Sequence, residues 1–167
     1  MKTVLNELRN QLIEYEILTI TKQNFQQVFE VYESNHEFFL LTQGKKATIE
    51  QSICDIDALP PNCDIDQKIY ISIWEDGRAV GVLDLIMNYP EQSGLWIGLL
   101  LISSNLHGRK IGSRLVSAVL SAAKDVGHDF AQLGVIESNT KGISFWQKQG
   151  FEASRRNGNI VVMTRRI

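Results

Sequence analysis

The sequence predicts an α/β chain of the α+β type, with a mixed, mostly antiparallel sheet of about seven strands flanked by about four helices. Three observations predict it. Lys68 to Trp74 alternates Ile69, Ile71 and Ile73 with Tyr70, Ser72 and Trp74, and the pair Asp76-Gly77 turns the chain into a return strand. Leu95 to Ile102 is a continuous apolar run, too short for a membrane helix and suited to a strand buried on both faces. Helical periodicities stand before this meander and after it, so the sheet is expected to carry helices on both faces.

Met1 to Glu14 places Leu5, Leu8 and Leu12 on one side of a short helix. It reads as an N-terminal extension, residues 1–14, that packs on the outside or binds a partner, with packing favoured; residues 15–167 form the single main domain. Tyr15 to Ile20 is β-branched and aromatic, a first strand. Thr21 then caps a helix in which Phe25, Val28, Phe29, Tyr32 and Phe39 recur at helical spacing, with His36 on the same stripe. A histidine on an apolar stripe is usually structural; the other reading lets it line a substrate pocket. Thr48 to Gln51 has the form of a capping box, and Pro60-Pro61 stops the helix it opens.

The return strand after Asp76-Gly77 runs from Ala79 to about Asn88 and contains Asp84 among apolar residues. A carboxylate there needs solvent or a hydrogen-bonded partner. It is either a structural group held by backbone or a Lys or Arg, or a general base whose pKa its apolar neighbours raise. Beyond Leu95 to Ile102 comes a helix whose stripe is Ile111, Leu115, Val119, Ala122 and Val126, closed by Gly127. Phe130 to Ile136 is a fifth strand with Glu137 at its end. Asn139 opens a helix that Gly150 closes, and two short strands finish the chain.

Formal net charge is −2, which lacks the electrostatic footprint of a nucleic-acid binder. No leader and no membrane span is read, so a cytoplasmic protein with neither nucleic acid nor membrane as partner is expected. Cys54 and Cys63 fit no zinc spacing and no His cluster joins them, so reduced thiols and no metal are expected.

The turn from strand to helix carries the chemistry. His107, Gly108, Arg109, Lys110, Ile111, Gly112 and Ser113 lead a buried strand into a helix N-terminus, where free N–H groups and the positive end of the helix dipole meet. Glycines let an anion approach the backbone, and the three basic side chains add charge. The other reading is an ordinary connection whose glycines only make the turn. It is neither a Walker loop nor a dinucleotide fingerprint.

This turn resembles the acyl-CoA signature Gln/Arg-x-x-Gly-x-Gly/Ala of the GNAT superfamily of N-acetyltransferases. His107 stands at the Gln/Arg position, Lys110 at the middle Gly and Gly112 at the last. A second stretch, Asn139 to Phe151, is similar to the family's Asn-x-x-Ala-x-x-Phe-Tyr-x-x-x-Gly-Phe, with Gly142 for Ala and Trp146 for Tyr. The two motifs stand in the family's order and separation, and the resemblance spans roughly residues 15–167.

The resemblance implies a GNAT-like fold and transfer of an acetyl group from acetyl-CoA to an amine in a ternary complex. Backbone of Leu100, Leu101 and Ile102 would pair with the pantetheine arm, and a backbone N–H would stabilise the developing oxyanion. Amides from Arg109 to Ser113 would cradle the pyrophosphate, and Asn139 would contact the cofactor arm. Asp84 or Glu137, through a water, would act as base. The family's acid is often a Tyr where Trp146 stands, and an indole N–H cannot serve. Trp146 would pack in the core or wall the thioester site. The acceptor would be a small-molecule amine or a protein amino group, and the protein a monomer or homodimer. The alternative is a non-catalytic acyl-CoA-binding sensor or interaction module.

Overall fold

A computed structural model of the chain describes residues 3–167. One sheet of seven strands has the order β1-β2-β3-β4-β5-β7-β6. The strands are β1 (Glu16–Thr19), β2 (Lys68–Glu75), β3 (Arg78–Met87), β4 (Gly94–Ile102), β5 (Phe130–Ile136), β6 (Glu152–Asn157) and β7 (Ile160–Arg166). Every neighbouring pair is antiparallel except β4 and β5, which run parallel. The helices are α1 (Val4–Gln11), α2 (Phe25–Ser34), α3 (His36–Gln43), a one-turn α4 (Ile49–Ser52), α5 (Ile111–Asp125) and α6 (Thr140–Lys148).

Strand alternation makes two cores. Ile71, Ile73, Leu83 and Leu85 meet Leu8 of α1 and Leu115 and Val119 of α5 on one face. Tyr70, Trp74, Val82 and Leu101 meet Phe25, Val28, Val31 and Tyr32 of α2 on the other. The sheet therefore carries helices on both faces, as the sequence predicts. Leu8 and Leu12 are fully buried, and Glu14 pairs with Arg114 of α5 at 2.6 Å, so the first helix packs on the sheet's α5 side. Asp76 and Gly77 take φ of 50° and 75°, the left-handed pair a two-residue hairpin needs.

One feature differs from the sequence reading, and a second lies beyond what that reading specified. The stripe from Phe25 to Phe39 is not one helix, because Asn35 leaves helical geometry at φ −96° and ψ 39°. Its carboxamide donates to Val31 O at 2.8 Å and to Ile102 O at 2.9 Å, a stronger demand than continuing the helix. The second concerns β4. Its parallel pairing with β5 stops after Gly94↔Phe130, Leu95↔Ala131 and Trp96↔Gln132. Two residues on, Gly98 is the extra residue of a bulge, with Leu85 opposite Ile97 and Asp84 opposite Leu99. From Ile97 onward one edge of β4 has no strand beside it.

Candidate active site

The phase of the β3–β4 ladder decides which backbone groups lie on that open edge. Ser103 N donates to Val80 O at 2.9 Å, and Gly81 faces Ile102 in the register. Antiparallel geometry then turns both polar groups of Leu101 toward β3 and those of Leu100 and Ile102 toward the gap. Ile102 O is taken there by two side-chain donors, Asn35 Nδ2 at 2.9 Å and His107 Nε2 at 2.8 Å. A carbonyl only accepts, so His107 Nε2 carries the proton.

The edge opens into a groove of about 970 Å³ between α3 on one side and α5 and α6 on the other. Its floor is Leu100, Leu101 and Ile102. One end is the glycine turn and the start of α5, where no side chain caps the helix. The N–H groups of Ile111, Gly112 and Ser113 lack intrahelical partners there, as the first turn of any helix requires.

The two glycines of the turn serve different purposes. Gly108 has φ +82°, and a Cβ built on it would meet nothing within 4 Å, so its role is conformational. A Cβ on Gly112 would stand 3.3 Å from the Phe145 ring, so Gly112 lets α6 approach α5. Lys110 is left-handed at φ 63°, a conformation that costs a non-glycine residue about 1–2 kcal/mol. Gln149 Nε2 donates to Ser113 Oγ at 3.0 Å and fastens the end of α6 to the start of α5.

Asn139 caps α6 through Gly142 N→Oδ1 at 2.9 Å. A Cβ on Gly142 would come 2.5 Å from Asn139 Nδ2, so glycine admits this cap. Trp146 packs edge-on against Phe145 and Phe151, with ring centres 5.0 and 5.2 Å away, and also lines the groove. The packing reading of Trp146 therefore holds, and the same ring borders the groove.

Of the residues the sequence marks for the cofactor, all but Arg109 line this groove. The two carboxylates marked for catalysis do not. Glu137 is exposed and pairs with Arg156 at 2.6 Å. Asp84 lies on the sheet face that packs α2, where Lys68 Nζ donates to its Oδ2 at 2.7 Å; the side chains are 15% and 3% exposed. Lys68 also donates to Ala58 O at 2.9 Å and stands over the Tyr70 ring. Burial pushes the Asp84 carboxyl up, and the Lys68 ammonium opposes that. Asp84 Oδ1 is buried without a partner among the described residues. A Cβ on Gly98 would stand 3.2 Å from Asp84 Oδ2, so the exposed bulge glycine lies directly against the carboxylate.

Beside this pair, the Tyr32 hydroxyl bonds both Tyr70 Oη and Asp55 Oδ2. Burial raises both phenols far above their ordinary range, and the Tyr32 hydrogen bond opposes that rise at Tyr70. Burial likewise raises the Asp55 carboxyl.

Sequence reasoning missed Asn35, Glu37 and Lys141, all of which line the groove; His36, kept there as the lesser reading, lines it too. Glu37 of α3 and Lys141 of α6 pair at 3.8 Å across it, both largely exposed. A cap-type residue inside the α2 stripe was the available signal for Asn35. Among the described residues no helix is long and apolar enough to cross a membrane, and no His, Cys, Asp and Glu group could hold a metal.

Comparison with solved structures finds the same fold. An acetyltransferase from Thermus thermophilus superposes with a TM-score of 0.80 at 22% identity, over 94% of this chain and 99% of that one. The PaiA N-acetyltransferase of Thermoplasma acidophilum, solved with coenzyme A, gives 0.71 at 17% identity, over 92% and 99%. The ribosomal-protein-S18-alanine N-acetyltransferase of Escherichia coli gives 0.67 at 12%, over 92% and 94%. No curated protein matches the sequence. The profile of the Acetyltransferase (GNAT) family matches residues 23–151, most of the chain and the whole of the groove's floor, turn and α6 wall. On that match and this fold, the chain belongs to the GNAT family of acetyltransferases.

Proposed function

We propose that the protein is an N-acetyltransferase that moves an acetyl group from acetyl-CoA to a primary amine, by direct transfer in a ternary complex. The observation that carries the reading is the open edge of β4, whose Leu100 N–H, Leu100 C=O and Ile102 N–H face a groove ending at an uncapped helix N-terminus. The groove's residues fit the co-substrate. The β4 edge offers donors and an acceptor to an amide-bearing arm, and the N–H groups of Ile111 to Ser113 with Lys110 and Lys141 offer charge to phosphates. When bound, acetyl-CoA supplies the activated acyl group; everything else falls to this chain's residues.

Leu100 and Ile102 hold the arm extended, and Trp146 and Phe145 exclude water from its reactive end. The leaving thiol has a pKa near 8.5, so its thiolate departs without a protein acid, and Trp146 in place of Tyr slows the step by the general-acid factor of ~10²–10⁴. Between the two candidate bases the geometry favours Asp84, which lies against Gly98 where β4 leaves β5, over Glu137, which is committed to Arg156. A water at Gly98 would pass the acceptor's proton to Asp84. Because burial raises that carboxyl, transfer speeds up as pH rises through its raised pKa.

The acceptor is a small-molecule amine or a protein amino group. We read the protein as cytoplasmic, a monomer or homodimer, working without metal, nucleic acid or membrane. One observation favours a second reading, a non-catalytic acyl-CoA-binding module: no hydroxyl stands at Trp146 to act as acid. A thermal-shift titration with acetyl-CoA and CoA, followed by a thiol-release assay over a panel of amines, tests both. Stabilisation with turnover supports the enzyme, stabilisation without turnover supports the module, and no stabilisation contradicts both.

A further inference from the structure

Asn35 is one of few buried polar side chains, at 7% exposure, and it stands where α2 gives way to α3. Its Nδ2 reaches Ile102 O at 2.9 Å across 67 positions of sequence. His107, from the glycine turn, reaches the same oxygen at 2.8 Å. Ser34 Oγ beside Asn35 accepts from Ser104 N at 3.1 Å, so the α2–α3 elbow is tied to the end of β4 at two points. A carbonyl oxygen has two lone pairs, and both of these are occupied. Leu100 C=O, on the same edge two residues earlier, has no such donors among the described residues.

An extended chain that adds to a strand edge can pair in registers two residues apart, separated by about 6.8 Å. Nothing in a uniform edge chooses between them. We infer that Asn35 and His107 are positioning residues: by filling both lone pairs of Ile102 O they end the usable edge of β4 and fix the register in which the acyl carrier's amide arm lies on Leu100. The inference rests on the acyl-CoA reading. It also gives His107 a purpose apart from charge, since its Nε2–H is spent on the strand rather than on a phosphate. A glutamine or an arginine in its place would also carry an N–H donor.

The test is a titration of isotope-labelled protein with CoA, followed at the backbone carbonyl ¹³C and amide signals of residues 99–103. In the wild type the Leu100 carbonyl and the Ile102 amide move, while the Ile102 carbonyl stays in place. In His107→Phe, and separately in Asn35→Ala, one lone pair is released; the Ile102 carbonyl then responds to CoA and the Leu100 signals double as a second register becomes populated. His107→Gln, which keeps an N–H donor, restores the single wild-type pattern. His107 is exposed, so its variants retain the fold even if Asn35→Ala does not. A wild-type Ile102 carbonyl that moves as far as that of Leu100 overturns the inference while leaving CoA binding intact. A groove whose signals ignore CoA altogether overturns both the inference and the reading beneath it.

Discussion

β4 has two edges made of the same residues, and they do opposite work. Toward β3 the ladder runs from Leu95 to Ile102, broken only by the Gly98 bulge. Toward β5 it stops at Trp96. Buried backbone groups left unpaired are costly, and an unpaired strand edge invites any extended chain. Here the invitation is confined to a groove, and its far end is shut at Ile102 by two side chains. The contrast teaches that the fold resides in one edge, which leaves the other free for the ligand recognition proposed above.

Proline separates the two edges most sharply. Leu101→Pro removes a donor from the β3 ladder and empties a core position, and should cost more than ~3 kcal/mol, seen as loss of a cooperative melt. Leu100→Pro removes an N–H that no strand uses, and should keep a cooperative melt while abolishing CoA binding by calorimetry. If both variants unfold, or both bind, the two edges are not distinct.

The second effect concerns the charges beneath the bulge. Asp84→Asn strands the buried Lys68 ammonium and should destabilise by roughly 3–5 kcal/mol in chemical denaturation; Lys68→Met with Asp84→Asn should recover most of it. Burial raises the folded-state pKa of Asp84, so the native chain holds more protons than the unfolded one just above the ordinary carboxylate range, and stability falls as pH rises through that window. The double variant should flatten this slope in part, Asp55 keeping the remainder.

Lys110→Gly relieves a left-handed lysine and should gain about 1 kcal/mol in thermal melts, the strain relief less glycine's extra entropy, while weakening CoA binding through the lost cation. Smallest of all, Glu37→Gln takes the one acidic side chain out of the groove wall and frees Lys141. CoA affinity should rise about twofold, an advantage that added salt erases.

What the sequence made legible was local. Period-two alternation, the Asp76-Gly77 turn and the run from Leu95 to Ile102 each declare a strand within a few residues, and the turn from His107 to Ser113 declares itself by glycines and charge. Asp84 shows where such reasoning ends. Counting back from Glu75 opposite Arg78 places Asp84 opposite Ile69, toward the α5 core. A bulge between Ile73 and Trp74 shifts the register by one and sets Asp84 opposite Tyr70, on the face of Lys68. One inserted residue thus chose its partner, and nothing in the local pattern announces it. The clamp of Asn35 on Ile102 and the early end of β4–β5 pairing are likewise long-range outcomes of packing, invisible to periodicity.

Hydrogen exchange at three consecutive amides of β4 tests the central claim most directly. Without ligand, Leu101 should exchange slowly and Leu100 and Ile102 fast; on addition of CoA, Leu100 and Ile102 should slow by about tenfold or more as they gain partners, with Leu101 unchanged. Equal protection of all three without CoA, or no change at Leu100 and Ile102 with it bound, would contradict the account.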